Sequence, residues 1–170
     1  MLECEDKSLY TGITHDITAR IRTHYYKLPA AAKYTKSHKI KKLMLLFKTE
    51  TKNNALKLEA YIKTFSKSKK QELINNPSLI YEKFEEPLFE TAENIKLEDF
   101  LICQSEEYEK LKKFYQNEKI LDFLNGNIIG KAYSDNPKNP KMACVIIDEN
   151  YYFSGKPSDE FLKLSENKTV

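Results

Sequence analysis

Ser8-Leu9-Tyr10-Thr11-Gly12-Ile13-Thr14-His15-Asp16-Ile17-Thr18-Ala19-Arg20-Ile21-Arg22-Thr23-His24 changes from a strand pattern to a helix pattern inside one short stretch. The β-branched and aromatic residues up to Ile13, with a glycine near the end, predict a short strand over 8–13. Asp16 is a helix-capping residue, and the helix it opens is expected to reach about Tyr26, where Leu28-Pro29 stops it. Ile17, Arg20, Ile21 and His24 fall on one face of that helix, so a guanidinium and an imidazole project from it together. Gly12, just after Tyr10 and Thr11, lets a backbone or a ligand come close.

Downstream, Ala30 to Lys42 reads as basic and irregular, and Leu43 to Thr51 as an apolar run of buried-strand length. Asn53 or Asn54 is expected to cap a second helix, with Ala55, Leu56, Ala60 and Ile62 inward. Ser66 opens a third, basic helix over 67–75. Asn75-Asn76-Pro77-Ser78 places four turn-forming residues in a row and marks a boundary. The order is strand, helix, strand, helix, helix.

Of the 170 residues, 31% are charged and 41% hydrophobic, which predicts a globular chain. No apolar run approaches the roughly eighteen residues of a spanning helix, so no membrane partner is expected. The acidic start, Met1 to Asp6, is not a signal peptide. Cys4, Cys103 and Cys144 are scattered without metal-ligand spacing and read as reduced thiols of a cytoplasmic protein. The net charge of +3 conceals a division: residues 1–76 hold 16 Lys/Arg against 7 Asp/Glu, and residues 77–170 hold 12 against 18. A basic half attracts a polyanion through counterion release, although a solvated lysine-rich surface has the same composition.

Phosphodiester cleavage needs a way to deprotonate water, a cation for the developing charge, and usually a metal at the leaving group. Tyr10, Arg20 and Glu59 are a sufficient set. Singly, each also has an ordinary reading: a half-buried strand tyrosine, a solvated arginine, and with Lys63 an i, i+4 surface ion pair. In register they resemble something more specific. The Ser8 to His24 segment is similar to the second motif and first helix of GIY-YIG nucleases, nearest the small stand-alone bacterial branch that reads S-L-Y-T-G-I-T. Ala32-Lys33-Tyr34-Thr35, Ala55-Leu56-Lys57-Leu58-Glu59-Ala60-Tyr61-Ile62-Lys63 and Lys67-Ser68-Lys69-Lys70-Gln71-Glu72-Leu73-Ile74 follow in that family's order, so the resemblance covers about residues 2–75.

The resemblance implies an α+β fold, a small three-stranded antiparallel sheet flanked by helices, and a metal-dependent DNA endonuclease. By position it implies that Tyr10 helps activate the attacking water, Arg20 stabilises charge on the phosphoryl group, and Glu59 holds a divalent ion, Mg²⁺ above all. His24 and Tyr34 match positions with supporting roles, and Lys33, Lys36, Lys63, Lys67, Lys69 and Lys70 are candidates for DNA contacts. The family's first motif, a strand with its own tyrosine, would lie just upstream of Leu2-Glu3-Cys4. A truncated first strand is therefore expected, and with it a weak or inactive nuclease. A non-catalytic nucleic-acid-binding module is one alternative.

The domain organisation expected is a nuclease-like domain over 1–76, a linker or extended segment over 77–98, and an α+β accessory region over 99–170. Within the last, a short strand is expected at 99–104, a helix from Ser105 to about Phe123, strands at 128–133, 142–147 and 151–154, and a closing helical turn at 158–164. Residues 99–164 faintly resemble the early part of a GNAT-type acetyltransferase, through Gly130 to Ala143, Asn150 to Pro157 and Asp159-Glu160-Phe161-Leu162. That fold needs a glycine-rich loop for the acetyl-CoA pyrophosphate. The four glycines here, at 12, 126, 130 and 155, are not clustered, so acetyl transfer is not expected. The remnant of a fusion between a nuclease and an acetyltransferase is the other alternative for the chain. Tyr151, Tyr152 and Phe153 are expected in the core of this region.

Overall fold

The computed structural model describes residues 1–85 and 87–156. The chain divides into two compact units, Met1–Phe100 and Leu101–Val170.

In the first unit, β1 (Leu2–Cys4) is the middle strand of a three-stranded antiparallel sheet, between β2 (Leu9–Tyr10) and β3 (Ile40–Leu43). Leu2 sits opposite both Tyr10 and Leu43. β2 is only two residues long, because the chain leaves the sheet at Thr11. α1 (Ile17–Tyr25) begins as expected at Asp16, whose carboxylate accepts the Ala19 N–H at 2.9 Å. The stretch 30–42, expected to be irregular, holds a short helix, α2 (Lys33–Ser37), and most of β3. The β3 register shifts opposite Glu3 and Cys4, and this bulge leaves Lys41 and Lys42 both outward between buried Ile40 and Leu43. Two consecutive exposed lysines hide the alternation that normally reveals a strand.

β4 (Leu45–Lys48) does not join this sheet. It pairs antiparallel with β5 (Leu88–Thr91), Leu45 opposite Thr91 and Lys48 opposite Leu88. α3 (Lys52–Lys63) starts earlier than expected, capped by Thr51, whose hydroxyl accepts the Asn54 N–H at 3.1 Å. Ile62 is buried as expected, but it shares the inner face with Leu58, whereas Leu56 is 43% exposed and Ala60 faces out. α4 (Lys67–Asn75) is capped by Ser66 as expected. Leu45, Leu58, Ile62, Leu73, Ile74 and Ile80 form one buried cluster, against which Phe47 and Phe89 pack. Ile80, in a 3-10 turn over Pro77–Glu82, and Phe89 on β5 come from the segment read as a linker. Its apolar residues complete this core.

The second unit has a 3-10 turn, Ser105–Glu107, then α5 (Tyr108–Lys112) and α6 (Glu118–Leu124), and the antiparallel sheet β6-β7-β8 (Lys131–Ser134, Met142–Ile147, Asn150–Gly155). A capping box opens this helical stretch one residue early, at Gln104, whose N–H donates to the Glu107 carboxylate at 2.8 Å. The single helix expected to Phe123 is two, because Asn117 caps a new start by accepting the Ile120 N–H at 3.3 Å. No strand forms at 99–104; its first two residues belong to a 3-10 turn, Leu97–Phe100, at the end of the first unit. Asp148 and Glu149, at φ 49° and 65°, make the two-residue hairpin turn between β7 and β8. Leu111, Ile120, Phe123, Val145 and Ile147 centre the core. Tyr152 packs against it, but Tyr151 and Phe153 alternate to the other face and are 41% and 45% exposed. The closing turn expected at 158–164 lies outside the described residues. Among the described residues no helix is long and apolar enough to cross a membrane.

Candidate functional site

Where β2 ends, the chain turns across the face of the first unit and forms one wall of a cavity of about 800 Å³. Tyr10, Thr11 and Gly12 line it from this wall, Arg20 and His24 from α1, and Glu59 from α3. Four of the five expected catalytic residues therefore share one cavity. The fifth, Tyr34 on α2, stands behind Tyr10, with ring centroids 6.2 Å apart and planes 13° apart, and its other neighbour is the His38 ring at 4.1 Å.

Gly12 has a specific task. A Cβ there would lie 3.0 Å from the Tyr10 hydroxyl and 3.1 Å from a ring carbon, so the missing side chain makes room for the phenol itself. The Tyr10 ring is fixed from the other side by an edge-to-face contact with His24, centroids 5.1 Å apart.

His24 is 2% exposed. Its Nδ1 is 2.6 Å from the Thr35 hydroxyl, and that hydroxyl donates to the Ala32 carbonyl at 3.1 Å. Burial, and then the Arg20 guanidinium one turn away, lower its pKa from 6.5 to about 4, so the imidazole is neutral. Arg20 donates through one terminal nitrogen to the Ala30 carbonyl at 3.3 Å. Three buried polar atoms of cavity residues, Thr11 Oγ1, Arg20 Nε and His24 Nε2, have no hydrogen-bond partner among the described residues. Buried polar groups are seldom left so, and three around one cavity suit a polar guest.

Glu59 is mostly buried, with a side chain 17% exposed, and pairs with Lys63 at 2.9 Å. Among the described residues the other carboxylate lining the cavity is Glu90 of β5. Sequence reasoning missed Glu90, which lies past the resemblance, and Thr11 and Thr35, whose hydroxyls carry no sequence signal of their own. Among the described residues no three His, Cys, Asp or Glu side chains cluster as a complete metal cage. A single carboxylate in a polar cavity suits instead a hard cation that keeps most of its water. Of the candidate lysines, Lys33 and Lys67 are exposed, Lys36 donates to the Pro29 carbonyl at 2.8 Å, Lys69 lies 4.5 Å over the Phe65 ring, Lys70 is half-buried and Lys63 holds Glu59.

Known proteins carry the same pattern. A family model described as the GIY-YIG catalytic domain matches residues 1–72. A UPF0213 protein of Fusobacterium nucleatum is 42% identical over 77 residues, 45% of this chain and 75% of the relative. UPF0213 proteins of Staphylococcus aureus strains Mu3 and N315 are each 42% identical over 74 residues, 44% of this chain and 88% of the relative. No solved structure matches. The α+β fold and its polar cavity thus define a nuclease-type domain. Through that domain the chain belongs to the GIY-YIG family, whose nucleases generally use divalent metal ions.

Proposed function

We propose that this cavity hydrolyses phosphodiester bonds, and that the protein is a Mg²⁺-dependent DNA endonuclease with an α+β accessory region. One observation supports this above the rest: Tyr10, Arg20, His24 and Glu59, from a strand and two helices, line one cavity that also holds three unpartnered buried polar atoms. A cleft that only packed would have apolar walls or satisfied polar ones.

Water attacks phosphorus, and the new P–O bond forms as the ester bond to the leaving oxygen breaks. Tyr10 orients the water and helps activate it. The water's proton passes to the lone pair on His24 Nε2, a neutral acceptor held at the wall. Arg20 stabilises charge on the non-bridging oxygens, and the leaving oxygen takes a proton from solvent. Glu59 would hold the divalent ion, which when bound draws charge from the phosphate and the leaving oxygen. Tyr34 keeps Tyr10 in place from behind. Lys33, Lys36, Lys67, Lys69 and Lys70 meet DNA phosphates.

The test is incubation of the chain with plasmid and branched DNA plus Mg²⁺, beside an Arg20→Ala control. Mg²⁺-dependent cutting that disappears in the control is expected. Cutting that survives in Arg20→Ala would overturn the reading. Binding without cutting would favour a non-catalytic nucleic-acid-binding module.

A further inference from the structure

We propose that Thr35 is a positioning residue that fixes His24 as the Nδ1–H tautomer and so presents the Nε2 lone pair to the cavity. Thr35 sits inside α2 and is 0% exposed. Its hydroxyl proton has two acceptors in reach, the Ala32 carbonyl three residues back at 3.1 Å and His24 Nδ1 at 2.6 Å. A hydroxyl that donates to the carbonyl accepts from Nδ1–H, which puts the ring proton on Nδ1; one that donates to Nδ1 leaves the ring proton on Nε2. In the first arrangement Nε2 is the bare nitrogen. Its surroundings agree: it is buried and has no partner among the described residues. The opposite tautomer would bury an Nε2–H with no acceptor, which is the rarer kind of unsatisfied polar group, whereas the Nδ1–H form leaves no ring donor without a partner.

The ring's orientation follows from the same contacts. Thr35 holds the Nδ1 edge, the edge-to-face contact with Tyr10 sets the tilt, and Arg20 stands one turn earlier on the same helix face. Thr35 therefore acts on the reaction from outside the cavity, through His24. Neither its position nor its residue type announces this in the sequence. The consequence for catalysis rests on reading the cavity as a phosphodiester-cleaving site; the tautomer does not.

The experiment is long-range ¹H–¹⁵N NMR on the ¹⁵N-histidine-labelled full chain, with His24 assigned among His15, His24 and His38 by a His24→Gln variant. Thr35→Val and Thr35→Ser are recorded in parallel, with plasmid cleavage kinetics for each. Wild type should show a protonated Nδ1 and a bare Nε2. Thr35→Val should lose that pattern and cut about a hundredfold more slowly in kcat at unchanged KM, while Thr35→Ser restores both. A wild-type His24 protonated on Nε2, or a Thr35→Val spectrum identical to wild type, would overturn the proposal. If the spectra behave as stated and no form cuts DNA, the positioning claim stands and the nuclease reading fails.

Discussion

Gly12 and Tyr10 are coupled through space: the position a Cβ would take on Gly12 lies 3.0 Å from the phenolic oxygen of Tyr10. The ring cannot retreat freely, because His24 meets one side and Tyr34 stacks behind it. Gly12→Ala should therefore displace the phenol by a few tenths of an ångström and leave the fold intact. A displaced reacting group should slow cleavage by about tenfold to a hundredfold with DNA affinity unchanged. Single-turnover rates beside a thermal melt check this, and an alanine variant that cuts normally would show that the Tyr10 position is not critical.

Glu59→Gln keeps the shape of the side chain and removes its charge. Its pair with Lys63 is an i, i+4 contact between helix residues, worth only about 0.3–0.5 kcal/mol. Stability should thus hardly change. Mg²⁺-dependent cutting should fall by about a thousandfold or more, since the carboxylate would be the ion's anchor. Isothermal titration of Mg²⁺ into the DNA-bound wild type and variant separates loss of the ion from loss of fold.

Tyr10, Arg20, His24 and Glu59 stand out in the sequence because their segments resemble GIY-YIG motifs in register, and the fold brings all four to one cavity; the fold around them was legible only in part. β3 was hidden because a bulge puts Lys41 and Lys42 outward together, and a one-residue insertion erases a period of two. The inner face of α3 is only partly legible, because hydrophobicity alone does not set the phase of a helix with few apolar residues. β5 was invisible for a different reason. Its partner β4 lies some forty residues earlier, and such a pairing leaves no local trace. Tyr151 and Phe153 show the converse error: aromatic residues on a strand suggest burial, but alternation sends every second one out.

Salt provides a test of the basic surface that does not depend on catalysis. If Lys33, Lys36, Lys67, Lys69 and Lys70 meet phosphates, log affinity should fall linearly with log salt, with a slope of about −0.9 per contact. Lys33→Ala and Lys67→Ala, at exposed positions, should each reduce that slope by about one without changing the melting temperature. An affinity independent of salt would remove the phosphate-reading role from this face.

Gly155 closes β8 at φ 91°, and a Cβ there would lie 2.2 Å from the Lys141 carbonyl oxygen. Both the conformation and the close backbone approach exclude a side chain. Gly155→Ala should destabilise the second unit by about 2 kcal/mol or more, seen as a lower urea midpoint. Gly126, also at positive φ but with nothing within 4 Å, is the control: its alanine variant carries the conformational cost alone and should lose less.

Stability should also depend on pH through His24. In the folded protein its pKa is lowered from 6.5 to about 4, by burial first and by Arg20 second. The unfolded chain therefore binds a proton between those values that the folded chain refuses, and stability rises with pH across that window. The contribution is fully present above about 6.5 and is lost as pH falls toward 4. The total involved is about 1–3 kcal/mol. Urea unfolding at pH 7, 5.5 and 4.5 should show this decline in wild type, and His24→Gln, which has no proton to take up, should show a flatter profile over the same range. Equal slopes in the two proteins would mean that the imidazole takes up its proton over the same pH range folded and unfolded, so that neither its burial nor Arg20 lowers its affinity for the proton.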